Sequence, residues 1–372
     1  MSSPLPEEAY AAALAALPGM GPARLARALV ADGRAPSEAW AGVGAGRLFD
    51  VGPAAIRAAW RRSAAATDVA AGWAALAAAG VGVHVWGRPG YPEALAADHE
   101  APAVVFSRGD VGALEGRRVA IVGSRDCTRY GRETAFALGR DLAAAGAGVV
   151  SGLALGVDGA AHSGALRASV APPVAVVGSG LDVVYPRRNA GLWRDVAAAG
   201  VILSEAPLGT PPEAWRFPVR NRIIAALAEV VVVVESRHRG GSRHTVEAAS
   251  ARDRPVMAVP GPVRSPGSEL PNALLAEGCH PARDALDVLM ALNLATPLRA
   301  TGGAGSSGDS RPPPDDTGRA VLDALGWERA TFEQVVLTTG RSPAEVSVVL
   351  AHLEQAGWVA GSGGWWEQRA EV

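Results

Sequence analysis

Lysine is missing from this chain altogether: all 35 of its basic residues are arginine. That absence removes two chemistries. A Walker-type phosphate loop needs its lysine at the β- and γ-phosphates, and a pyridoxal enzyme needs one for its Schiff base. Cysteine is almost as scarce. Cys127 and Cys279 stand in unrelated contexts without metal-ligand spacing, so neither a disulfide framework nor a metal site is expected. No apolar run reaches the roughly 18 to 20 uncharged residues of a membrane-spanning helix. The opening MSSPLPEEAY lacks the basic and apolar regions of a signal peptide, so a cytoplasmic protein with no membrane partner is the expectation. Also missing is a nucleophile set beside a base and an orienting acid. Binding without turnover follows as the expectation, with no catalytic residue and no cofactor. A net charge of −2 argues against a uniformly basic surface, so any contact with nucleic acid has to be local.

What is present suits a large α/β core with one or two smaller modules: 372 residues, 49% hydrophobic, with 45 Gly and 27 Pro. Six apolar runs alternate with helical patterns: RRVAIVG, AGVVSG, PPVAVVGSG, VILSE, EVVVVVES and PVMAVPG. They are continuous and valine-rich, as strands covered by helices on both faces should be. A doubly wound, mostly parallel α/β sheet is expected over residues 81–294, with Val81 to Leu95 as a connecting stretch leading into it. Residues 1–80 are Ala-rich and helical in pattern. Within them, LPGMGPARLARALV from Leu17 to Val30 has the order of a helix-hairpin-helix, whose Gly-containing turn can hold a DNA phosphate; the same outline also serves as a protein-contact module. Residues 295–317 read as a Gly-, Ser- and Pro-rich flexible tether. Residues 318–372 carry three helical patterns and a Gly turn between short strands, the outline of a winged helix. Its third helix starts at Ser342 as N-cap, with Pro343 at the first helical position and Glu345 three residues on. With Arg341 as the last arginine before that helix, duplex readout is not expected of it.

Five loops at strand ends carry the candidate site. Such loops open onto helix N-termini, where free backbone N–H groups and the positive end of the helix dipole suit an anion. In Gly123-Ser124-Arg125, glycine admits a close backbone approach, serine offers a hydroxyl and arginine a fork for phosphate oxygens. The next glycine is Gly131, and no acidic ribose partner follows at the usual separation, which disfavours a dinucleotide cofactor. Ser151-Gly152 leads to Asp158, expected to cap the following helix, and to His162, one turn on and expected to share a structural hydrogen bond with it. Ser179-Gly180 lies in GSGLDVVYP. In FPVRNR, Arg220 and Arg222 flank Asn221 after the aromatic Phe217, a pattern suited to phosphate contact plus base stacking. The competing possibility is a structural pair between Arg222 and Glu205 or Glu235. Gly241, Ser242 and Thr245 stand at the start of a further helix, where backbone and hydroxyl donors converge.

In this order, GSR, SGLALGVDGAAH, GSGLDVVYP, Ser204-Glu205, FPVRNR, GGSxxT and Val259 to Gly261 resemble the DprA/Smf family. The resemblance implies a Rossmann-like domain that binds single-stranded DNA, flanked by an N-terminal sterile-alpha-motif-like domain and a C-terminal winged-helix-like domain. It also implies protection of incoming strands during natural transformation, loading of a RecA-type recombinase, and a homodimer formed through the central domain. Ser124 and Arg125 match the family's GSR turn, Gly152 its SGLA loop, and Arg220, Asn221 and Arg222 its RNR motif, loops that form the strand pocket. Where the family reads SGSxxTA, this chain has GGSRHTV from Gly240 to Val246, with one hydroxyl fewer and a cation and an imidazole more. An alternative from another class is a nucleotide phosphoribohydrolase of the "lonely guy" type, whose PGGxGTxxE stretch holds a catalytic Glu. Here RGGSRHTVE places Glu247 two residues after Thr245.

Overall fold

The computed structural model describes residues 4–30, 33–45, 53–293, 311–326 and 330–369, in two units, Met1–Thr296 and Pro297–Val372. The Ala-rich N-terminal segment is helical, with α1 (Glu7–Ala15), α2 (Pro22–Leu29), α3 (Pro36–Gly44), α4 (Ala54–Ala66) and α5 (Val69–Ala78). Proline starts α2 and α3, where its missing N–H costs no hydrogen bond. These helices bury Leu14, Leu17, Leu25 and Trp60 in one core with Val83, Val85 and Phe106 of the sheet that follows.

That sheet is built from β1 (Gly82–Val85), α6 (Glu93–Ala96), β2 (Val104–Gly109), β3 (Arg118–Val122), α7 (Arg129–Ala144), β4 (Gly148–Ser151), α8 (Val157–Ala168), β5 (Val174–Val177), α9 (Ala190–Ala199), β6 (Val201–Ser204), α10 (Arg216–Leu227), β7 (Val230–Val233), α11 (Ser242–Ser250), β8 (Val256–Ala258), α12 (Glu269–Ala276), β9 (His280–Pro281) and α13 (Ala285–Ala291). Among the described residues the strand order is β1-β2-β6-β5-β4-β3-β7-β8-β9. The six valine-rich runs are β3 to β8, and every pairing among them is parallel. The stretch expected to be a mere connection holds β1, which pairs antiparallel with β2, itself antiparallel to β6. β1 is short and buries only alternate side chains, so it lacks the continuous apolar run that marks the inner strands. From β3 the chain winds through β4, β5 and β6 to one side, then returns to place β7 and β8 on the other. The direction reverses between β3 and β7. In open parallel sheets this switch point is where a crevice opens at the carboxyl ends of the strands.

The second unit comprises α14 (Asp316–Leu325), β10 (Ala330–Thr331), α15 (Phe332–Thr339), α16 (Pro343–Gln355), β11 (Val359–Ser362) and β12 (Trp365–Gln368), with strand order β10-β12-β11. Reciprocal capping boxes open α15, through Thr331 and Gln334, and α16, through Ser342 and Glu345. Val321, Leu325, Val335, Val346 and Leu350 are buried together as its core. Of the expected tether, residues 295–310 lie outside the described residues.

Candidate nucleic-acid interface

Loops after β3, β4 and β7, with the first turns of α10 and α11, enclose a crevice of about 430 Å³ at the switch point. Gly123, Ser124, Arg125, Phe217, Arg220, Asn221, Gly241, Ser242 and Thr245 all line it. The loops are tied to one another rather than left free. The Ser124 amide donates to the Glu235 carbonyl at 2.6 Å and the Val157 amide to the Ser124 carbonyl at 3.2 Å, while the Asn221 amide group donates to the Gly241 carbonyl at 3.2 Å. Glu235 accepts from the backbone and the hydroxyl of Thr128, at 2.7 and 2.6 Å, fixing the start of α7 beside the loop after β3.

Arg125 is exposed, and its guanidinium lies over the Phe217 ring, 4.5 Å from the centroid. Tyr185 adds a second ring, 5.7 Å from that of Phe217. Arg125 and Phe217 line both the crevice and a recess beside it, of about 40 Å³, that Tyr185, Gly152 and Arg220 also line. Gly152 is there because of Arg220: a Cβ at 152 would stand 2.2 Å from the guanidinium. Arg220 is buried, donates to the Val176 carbonyl, and has an Nε without a partner. Burial lowers its pKa to about 10, against the opposing pull of Asp158. It therefore stays charged at neutral pH, with one donor unsatisfied beneath the crevice. A buried guanidinium with a donor left over fits an anionic visitor.

Asp158 does not cap α8 through its side chain, as the sequence suggests. The cap position is Gly156, whose φ of 75° suits glycine; Asp158 sits in the first turn and accepts from the backbones of Ala154 and Gly152. Burial pushes its carboxyl up, opposed by Arg220. The expected hydrogen bond between Asp158 and His162 is absent as well. His162 Nε2 faces the Val174 carbonyl at 3.1 Å and its Nδ1 has no partner.

Four other expected site residues are not brought to the crevice. The Ser151 hydroxyl donates to the Ile121 carbonyl at 2.6 Å inside the sheet. The Ser179 hydroxyl donates to the Val183 carbonyl at 2.8 Å, and the Gly180 amide to the Thr210 carbonyl at 3.0 Å, so both hold their own loop. Arg222 pairs with Glu205 at 2.5 Å and donates to the Glu100 carbonyl at 2.7 Å. The structural pair weighed for Arg222 is the one the fold adopts. Glu247 is exposed and engaged with Arg243 at 3.1 Å and His244 at 3.5 Å; it is not among the lining residues, so the fold does not bring the hydrolase alternative its catalytic carboxylate. Conversely, Arg237 and Arg239 line the crevice, are exposed, and have no side-chain partner among the described residues. The signal for them was their place beside Gly240-Gly241 in the loop at the end of β7.

The fold and crevice define a Rossmann-like α/β protein with an arginine-rimmed switch-point site, joined to a winged-helix unit. The chain belongs to the DprA/Smf family. The sequence model of DNA recombination-mediator protein A matches residues 82–293 and that of the DprA winged helix domain residues 306–364. The chain is 36% identical to protein Smf of Escherichia coli over 274 residues, covering 73% of this chain and 72% of that protein. It is 37% identical to the DNA processing protein DprA of Bacillus subtilis over 199 residues, 53% and 67% of the two chains. Among solved structures, DprA of Streptococcus pneumoniae superposes with a TM-score of 0.63 at 28% identity, over 77% of this chain and 98% of that one. DprA of Helicobacter pylori, solved for its single-stranded DNA binding mode, gives 0.52 at 28% identity over 57% and 95%. Among the described residues no helix is long and apolar enough to cross a membrane.

Proposed function

We propose that this chain binds single-stranded DNA in the switch-point crevice and acts there as a recombination mediator without catalysing a reaction. In this reading it works in the cytoplasm as a homodimer, protects incoming strands during natural transformation and hands them to a RecA-type recombinase. Family membership and the single-stranded DNA binding of the Helicobacter pylori relative support it. The observation that carries it is the Arg125–Phe217 stack at the mouth of the crevice, beside the unpartnered Arg237 and Arg239 and above the unsatisfied Nε of Arg220. A base joins the aromatic group, and its phosphates meet the arginines and the amides that open α11. An unpaired strand fits because stacking needs a free base face.

Oligonucleotide titration over a series of salt concentrations tests this assignment. Phe217→Ala should weaken binding by about 1 to 3 kcal/mol at every salt, since stacking is not screened. Arg239→Ala should weaken it and flatten the salt dependence by somewhat less than about one unit of slope, as expected when a single strand gives up one phosphate–arginine pair. Arg222→Ala should leave that slope alone because its guanidinium is held by Glu205. Wild-type binding by both the Phe217 and Arg239 variants would overturn the pocket.

A further inference from the structure

We propose that the strand does not end in the crevice but crosses the first turn of α10 into a second subsite, walled by the N-terminal hairpin; this extends the single-stranded DNA reading and rests on it. The first turn of α10 divides two cavities. Phe217 and Arg220 line the crevice on one side. Trp215, Arg216 and again Arg220 line a cavity of about 710 Å³ on the other, a volume within the range of about 300 to 1,000 Å³ common for ligand sites.

The arrangement at the crevice mouth recurs here. The Arg216 guanidinium lies 4.4 Å from the centre of the Trp215 ring, as Arg125 does over Phe217 at 4.5 Å. Trp215 is 48% exposed. Two aromatic rings under two guanidiniums, one on each side of a single helical turn, form a stacking track of the kind that follows a single strand. The far wall is the hairpin from Leu17 to Gly21, which is held in shape: the Trp60 indole N–H donates to the Pro18 carbonyl at 2.9 Å and Arg24 to the Gly19 carbonyl at 2.6 Å. Leu17 and Met20 anchor the hairpin in the core, and the more exposed Pro18, Gly19 and Gly21 face the cavity. Arg24 has no carboxylate partner among the described residues. Two carboxylates line the cavity and both are already neutralised, Glu205 by Arg222 at 2.5 Å and Glu213 by Arg216 at 2.9 Å. Arg220, whose Nε is unsatisfied, lines both cavities. The hairpin precedes the residues matched to the recombination-mediator family, 82–293.

Fluorescence anisotropy with the full chain and oligothymidines of about 4 and about 16 nucleotides, which bracket common single-strand site sizes, tests the extension. Trp215→Ala should weaken the longer oligomer about tenfold while leaving the shorter one within about twofold, and Trp215→Phe should restore the longer one. Unchanged circular dichroism and unchanged short-oligomer binding establish that the variant is folded. If Trp215→Ala binds both lengths like the wild type, or loses both equally, the second subsite is wrong; loss of binding by Phe217→Ala in the same series would leave the crevice standing. If the wild type binds neither length, crevice and subsite fall together.

Discussion

Two arginines two positions apart in FPVRNR have opposite fates, and the helix explains why. α10 begins at Arg216 and so includes the motif, and residues two apart on a helix point about 200° away from each other. Arg220 goes under the crevice and Arg222 to Glu205. In a loop at a strand end, both arginines could face the same site. Beneath the same site, His162 is wholly buried, and burial, reinforced by Arg220, lowers its pKa to about 4. The folded state thus resists a proton that the unfolded chain accepts near 6.5. The contribution to stability is complete above that value and is lost as pH falls from about 6.5 towards 4, by up to about 3 kcal/mol. Urea unfolding at stepped pH should show this loss in the wild type and a shallower one in His162→Gln, whose amide can still donate to the Val174 carbonyl. Parallel curves for the two proteins would show that His162 is not its source.

At the scale of elements, legibility followed burial. The inner strands β3 to β8 were readable because sheets covered on both faces need continuous apolar runs, and Val230–Val233 is the plainest case. β1, at the sheet edge, buries only alternate side chains and so lacks that signal; β2 went unread although it buries Val104 to Ser107 without a break. Asp158 was misplaced because capping rules describe one helix, whereas the turn before α8 is set by the approach of Gly156 to the Ser124 carbonyl, a contact between distant segments. The start of α16 needed no such contact. Ser342 and Glu345 exchange bonds within one turn, the Ser342 hydroxyl accepting from the Glu345 amide at 3.3 Å and the Glu345 carboxylate from the Ser342 amide at 3.0 Å. Ser342→Ala should cost about 1 kcal/mol. Read by hydrogen exchange, the amides of α16 should exchange about fivefold faster while those of β3 and β7 do not change; unaltered exchange in α16 would mean the cap contributes nothing.

Across the whole molecule, the loops that share a site are set by sheet order, and sheet order is a property of long-range pairing. The sequence offered five similar loops, and nothing local distinguished those after β3 and β7, which meet at the switch point, from the one after β5, whose Ser179 and Gly180 turn inward. Arg237 and Arg239 join the candidate site for the same reason, delivered to a crevice that spacing along the chain does not reveal, and Tyr185 reaches the recess beside it. That crevice is rimmed by arginine and lined by the Phe217 ring with the Arg125 guanidinium over it, which are features for an unpaired strand. An electrophoretic mobility comparison of single-stranded and duplex DNA of equal length measures this preference directly. Half-shift of the single strand is expected at a protein concentration about tenfold or more below that for the duplex, the equivalent of one stacked base. Equal or tighter binding of the duplex would contradict a single-strand site in this crevice.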